Sequence, residues 1–272
     1  MKIKLAILIV VAFVTATALT QTSAEPQPQE NAVREAKPDE IPFTYDRTAI
    51  GKVEVESVPK MVAAGLDEFP EDTPAHSCFH LHDKRPLPAF EKGPRYFYPA
   101  YSVVCIIPLS DPSVADFPKS YPTINLAALK LRQLLKAHPA RFRFNDDLFD
   151  LPYNNATAAI QSRVEYLQFK SGNGVMFLTQ YSQELHPNPV NNEELTCNFQ
   201  GLSTDGKYYV AARLTLTHPS LPKGIDFTDK IRRDNKRLYL RKQERLLNTY
   251  ADDSFQPSLR TIKSLISSIS TP

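Results

Sequence analysis

The stretch His76-Ser-Cys-Phe-His-Leu-His82 concentrates more metal-binding and proton-transfer chemistry than any other seven residues of the chain. On an extended strand successive side chains alternate between faces, so His76, Cys78, His80 and His82 share one face and Phe79 and Leu81 share the other. Imidazole and thiolate are the donors that bind Zn or Cu. At roughly 3.3 Å per residue, His80 and His82 stand about 7 Å apart at the backbone, close enough to share an ion, whereas His76 stands about 13 Å from His80. Two or three of the four can therefore serve one ion, completed by an Asp, Glu or His from a neighbouring strand. The competing reading is a polar strand face that holds no metal.

The chain has three cysteines, Cys78, Cys105 and Cys197, so they cannot all pair within one molecule. Cys105 lies in an apolar run and Cys197 shares a face with Leu195 and Phe199, as buried small hydrophobes do. Cys78 and Cys105 are the nearest pair in sequence, but a disulfide needs a Cα separation that sequence does not supply. The pairing stays open at this level.

No Gly-x-Ser-x-Gly elbow or cysteine-protease signature occurs, so a hydrolase would have to use dispersed residues. His218, before Pro219, sits at the expected end of a strand. Residues 223–245 hold nine Lys or Arg against four Asp or Glu, which is a solvated helix face or a surface for an acidic protein or envelope polymer.

These residues are expected to be positioned by a chain made for export. Lys2 and Lys4 precede an apolar run from Leu5 to Leu19, followed by small and polar residues to Ala24. Residues 1–24 read as a cleaved signal peptide, too short in their apolar part for a stable membrane span, which places the protein as secreted or periplasmic. Residues 25–272 then hold 30 basic and 30 acidic residues, a balance that gives no reason to expect nucleic acid as a partner. Residues 25–40 lack aromatics and almost all apolar residues and read as a disordered linker. Residues 41–272 are expected to form a single domain.

Within it, Lys52 to Val58 alternates as a half-buried strand, and Ser102 to Leu109 is a continuous apolar run suited to burial on both faces. Ile124, Ala127, Ala128, Leu131, Leu134 and Leu135 recur at helical spacing before Pro139. Arg163 to Phe169 and Val175 to Tyr181 flank Lys170 to Gly174, and Leu195 to Gly201 and Tyr208 to Thr217 flank the Asp205-Gly206 pair, as two hairpins. Asp226 is placed to cap a helix through Tyr250, and a last helix follows Pro257. The expected class is α+β: a mainly antiparallel sheet of about six to seven strands with one central and two C-terminal helices.

Three segments, Gly172 to Tyr181 (GNGVMFLTQY), Phe199 to Val210 (FQGLSTDGKYYV) and His218 to Pro222 (HPSLP), with a weaker echo at Phe43 to Asp46, resemble a family of exported bacterial proteins of unknown function. The resemblance implies an export signal and a shared fold, and it brings no activity and no catalytic residue. The sequence therefore favours a non-enzymatic module, with no cofactor, that binds an envelope or extracellular ligand or protein. A transition-metal protein using His76, Cys78, His80 and His82 is the alternative, and a hydrolase the third.

Overall fold

A computed structural model describes residues 32–60, 74–84, 102–109, 124–144, 146–149, 151, 156–182, 189–223 and 235–272. All of them belong to the unit Asn31–Pro272. The expected leader at 1–24 and the cap at Asp226 lie outside the described residues.

Eight strands form one antiparallel sheet: β1 (Ala32–Glu35), β2 (Ile50–Val58), β3 (His76–Asp83), β4 (Ser102–Pro108), β6 (Ser162–Phe169), β7 (Gly172–Thr179), β9 (Thr196–Ser203) and β10 (Tyr208–Thr215). Their order across the sheet is β1-β2-β3-β4-β10-β9-β7-β6. Two short strands, β5 (Thr157–Ala158) and β8 (Tyr181–Ser182), pair separately. The helices are α1 (Ile124–Ala137), α2 (Lys236–Thr249) and α3 (Leu259–Ser268). The α+β class, the large antiparallel sheet and the three helices agree with the sequence reading, but the main sheet has eight strands rather than six to seven.

Part of the difference lies in the segment expected to be a linker. Residues 32–35 pair with β2, Ala32 opposite Ser57 and Glu35 opposite Glu54, and Pro38–Glu40 forms a short 3-10 turn. An edge strand of this kind is held by backbone hydrogen bonds to an open sheet edge, so it needs no apolar face and leaves no apolar pattern to read.

The sheet has a core on each face. All six of the stripe residues in α1 are buried, and they pack with Ile107, Val175, Phe177 and Tyr209. On the opposite face Leu259, Ile262, Leu265 and Ile266 of α3 pack with Val104, Val210, Ala212 and Met176. β4 is therefore covered on both sides, as its continuous apolar run requires. Ser258 caps α3 by accepting the Thr261 N–H at 3.1 Å. α2 is anchored through Glu244, which accepts from both Nη2 contacts of Arg141 at 3.0 and 2.9 Å and from the Gln161 N–H at 3.0 Å. Among the described residues no helix is long and apolar enough to cross a membrane.

Candidate functional site

β3 presents His76, Cys78, His80 and His82 on the face that also carries α1, as alternation requires, with Phe79 and Leu81 buried on the other. What the sequence lacked was register. Glu54 lies opposite His80 and Glu56 opposite Cys78 on β2, and Cys78 lies opposite Cys105 on β4. Diagonal neighbours across a strand pair are within reach of long side chains. Accordingly His80 Nε2–H donates to Glu56 Oε2 at 2.7 Å, and His82 Nε2–H donates to Glu54 Oε2 at 2.8 Å. Lys52 Nζ donates to Glu54 Oε1 at 2.7 Å, and this contact, helped by His82, holds the Glu54 carboxyl down to about 2.

His80 and His82 are thus each directed to a different carboxylate and share no third ligand among the described residues. His76 Nδ1–H donates to the Pro74 carbonyl at 2.8 Å. Burial holds its imidazole below the ordinary histidine value, with the Pro74 contact and Glu56 acting the other way. Cys78 and Cys105 form a disulfide with their Cα atoms 4.1 Å apart. Cys197 is a free, fully buried thiol, and burial pushes its pKa far up, so it is inert as a nucleophile.

His218 lies in the corner between β10 and the C-terminal helices, stacked on Tyr250 at 3.9 Å between ring centres. Ser220 Oγ is 2.7 Å from His218 Nδ1, a serine within reach of a base. The same Nδ1 accepts the Ser220 backbone N–H at 3.2 Å, so Nε2 carries the proton and donates to Ser254 Oγ at 3.0 Å. Ser254 Oγ in turn donates to the Ala251 carbonyl at 2.6 Å. The ring therefore ties residues 218–220 to the turn at 251–254. Its second nitrogen meets a hydroxyl where a catalytic histidine would meet an orienting carboxylate.

A groove of ≈ 640 Å³ opens at the end of the sheet where two hairpins turn beside α1. Arg132 and Lys136, one helical turn apart on α1, and Lys170, in the β6–β7 turn, supply its charge; Asn173, Ser203 and Thr204 supply hydroxyl and amide groups. Among the described residues no carboxylate lines it. Among the described residues none of the three cations has a hydrogen-bond or ion-pair partner. The turns come close to the groove because of two glycines. A Cβ on Gly172 would stand 2.0 Å from the Leu202 carbonyl oxygen, and Gly206 has a φ of +72°, which an L side chain adopts rarely. At Gly206 the constraint is the backbone conformation alone, since a Cβ there would meet the Arg132 guanidinium at an ordinary 3.8 Å.

No motif in the sequence marks this groove. Its one legible sign is that α1, INLAALKLRQLLKA, carries three cations and no acid, so none of its charges can be satisfied within the helix. No protein-family model, curated protein or solved structure matches the chain.

Proposed function

We propose that the chain is an exported, secreted or periplasmic, non-enzymatic binding module whose ligand carries phosphate, sulfate or carboxylate groups and binds in the groove of Arg132, Lys136 and Lys170. The observation that carries this reading is the convergence of three cations on one concave surface where, among the described residues, they meet no partner and no acid. Two positive side chains from a helix and one from a turn, with the Thr204 hydroxyl and the Asn173 amide between them, match the charge and hydrogen-bonding needs of an oxyanion. Gly172, Asn173, Leu202, Ser203, Thr204 and Gly206 of the groove lie in the segments that resemble the exported family, whereas its three cations lie outside them. A leader-like N-terminus supports export, and the Cys78–Cys105 disulfide is the kind of bond that persists in an oxidising compartment. The balanced charge of residues 25–272 supports a local anion site rather than a nucleic-acid surface.

Calorimetric titration with a sulfated oligosaccharide at several salt concentrations tests the proposal. Binding should weaken with salt with a slope near three, about one per cation released from competition with counterions. Replacing Arg132, Lys136 and Lys170 together by Ser should reduce affinity at least about 30-fold, since each charged hydrogen bond lost is worth roughly 1.5–3 kcal/mol before screening. Replacing Arg241 and Arg245 on the exposed side of α2 should leave it unchanged. Equal affinity in the groove variant and the parent would remove the groove from consideration.

A further inference from the structure

The groove makes no use of the close approach of His76 to the disulfide. A ring nitrogen of His76 and the sulfurs of Cys78 and Cys105 all lie within 4.8 Å of one another, the one such group of three ligand-type residues among the described residues. The three come from different causes. Cys78 and Cys105 are direct partners in the β3–β4 register, flanked by β2 on one side and β10 on the other, so the backbone ladder holds the two sulfurs on one face whether or not they are bonded. His76 is two residues before Cys78 on the same strand and therefore on the same face.

The tautomer of His76 is fixed by the Pro74 carbonyl, which accepts a proton only from Nδ1–H. The lone pair is left on Nε2. An imidazole with its second nitrogen donating to a backbone carbonyl is the arrangement that metal-binding histidines ordinarily show. With metal–sulfur bonds of about 2.3 Å, two thiolates on one ion stand roughly 3.7 Å apart, a separation that the two paired cysteines reach with little movement once their bond is opened.

We infer that the reduced chain binds a thiophilic cation, Cu(I) or Zn(II), through the Cys78 and Cys105 thiolates and His76 Nε2, and that the disulfide is the oxidised form of this site. An external dithiol supplies the two electrons. One of its thiolates attacks the Cys78–Cys105 bond to form a mixed disulfide and release one protein thiolate. Its second sulfur then displaces the other protein sulfur, and the dithiol leaves as a disulfide. The two protein sulfurs each take up a proton, and the incoming cation returns both protons to solvent. Two thiolates select soft ions, and three donors leave Zn(II) one position for water. This set differs from the one expected from the sequence, because Glu56 and Glu54 hold His80 and His82. It does not depend on the groove.

The test uses the purified chain, reduced with a phosphine under anaerobic conditions and freed of reductant, beside the untreated oxidised chain. Each is titrated with Cu(I) against a competing Cu(I) chelator and with Zn(II) against a competing chromophoric chelator, and circular dichroism follows the fold. The reduced chain should take up one equivalent of at least one ion, and the oxidised chain none. His76→Gln should lower the affinity of the reduced chain by about 10–100-fold or more, the loss that even a supporting partner of a metal ligand causes. His80→Ala with His82→Ala should leave it unchanged. Uptake that is equal in both redox forms, uptake that survives His76→Gln or is lost with His80 and His82, or a reduced chain that takes up neither ion, folded or not, would each overturn the inference.

Discussion

Along β2 and β3, Lys52, Glu54, His82, Glu56 and His80 are joined pairwise by contacts of 2.7–2.8 Å. At the turn end of the same sheet Arg132, Lys136 and Lys170 line a groove with no partner among the described residues. Both regions are rich in side chains that do chemistry, and the first looks the more functional in sequence because its residues are consecutive. The difference is register. Strand pairing brings His80 and His82 of β3 each to a carboxylate of β2, so their Nε2 atoms are already engaged in holding the sheet together. Hairpin turns bring Lys170 to a helix that contains no acid at all, so its charge and those of Arg132 and Lys136 stay available to a ligand.

That contrast can be broken from the strand side first. Replacing Cys78 and Cys105 together by Ala removes a cross-link closing 27 residues and should cost roughly 2–4 kcal/mol in denaturant unfolding. A loss of a few tenths would mean that the sheet alone holds β3 to β4. Glu56→Ala should come next, at about 1–3 kcal/mol, because it leaves the half-buried His80 N–H without its acceptor. Lys136→Ala in the groove should change stability by less than about 0.5 kcal/mol, as surface replacements do. Comparable losses at the two positions would erase the distinction drawn between them.

A smaller effect follows from Glu54. Its carboxyl is held at about 2 in the folded chain, below the unfolded value, so the folded state binds fewer protons there and its stabilisation is present above pH of about 4.5. It should be lost as the pH falls from there towards about 2. For a pair reached by solvent the loss is roughly 0.5–1 kcal/mol, read as the difference between parent and Glu54→Gln in acid titrations of unfolding. Parallel curves for the two proteins would show that Lys52 and His82 give Glu54 no net help.

The elements that carry their own periodicity were legible. Every residue of the α1 stripe is buried, and β4 is covered on both faces as its unbroken apolar run implies. The shared face of His76, Cys78, His80 and His82 was legible for the same reason, since alternation along one strand needs no knowledge of a neighbour. What was not legible depends on residues far apart in sequence meeting. Val33 and Arg34 join the sheet through their backbones, which leave no pattern in side-chain type. Cys78 faces Cys105, and Glu56 reaches His80, only because two registers are set by strands whose pairing the sequence does not state. The groove requires α1 and the two hairpin turns at once, and Gly172 and Gly206 read as turn residues without showing what the turns approach.

The central claim, that the groove cations are available to an anion and the strand-face charges are not, is tested most directly by thermal unfolding in pyrophosphate against chloride at equal ionic strength. A ligand at about 100 times its Kd stabilises the folded state by about 2.7 kcal/mol, which for a chain of this size raises Tm by roughly 5–10 °C. The account predicts such a rise for the parent chain and for Glu54→Gln, and none for the variant with Arg132, Lys136 and Lys170 replaced by Ser. An equal rise in all three proteins, or no rise in the parent, would contradict it.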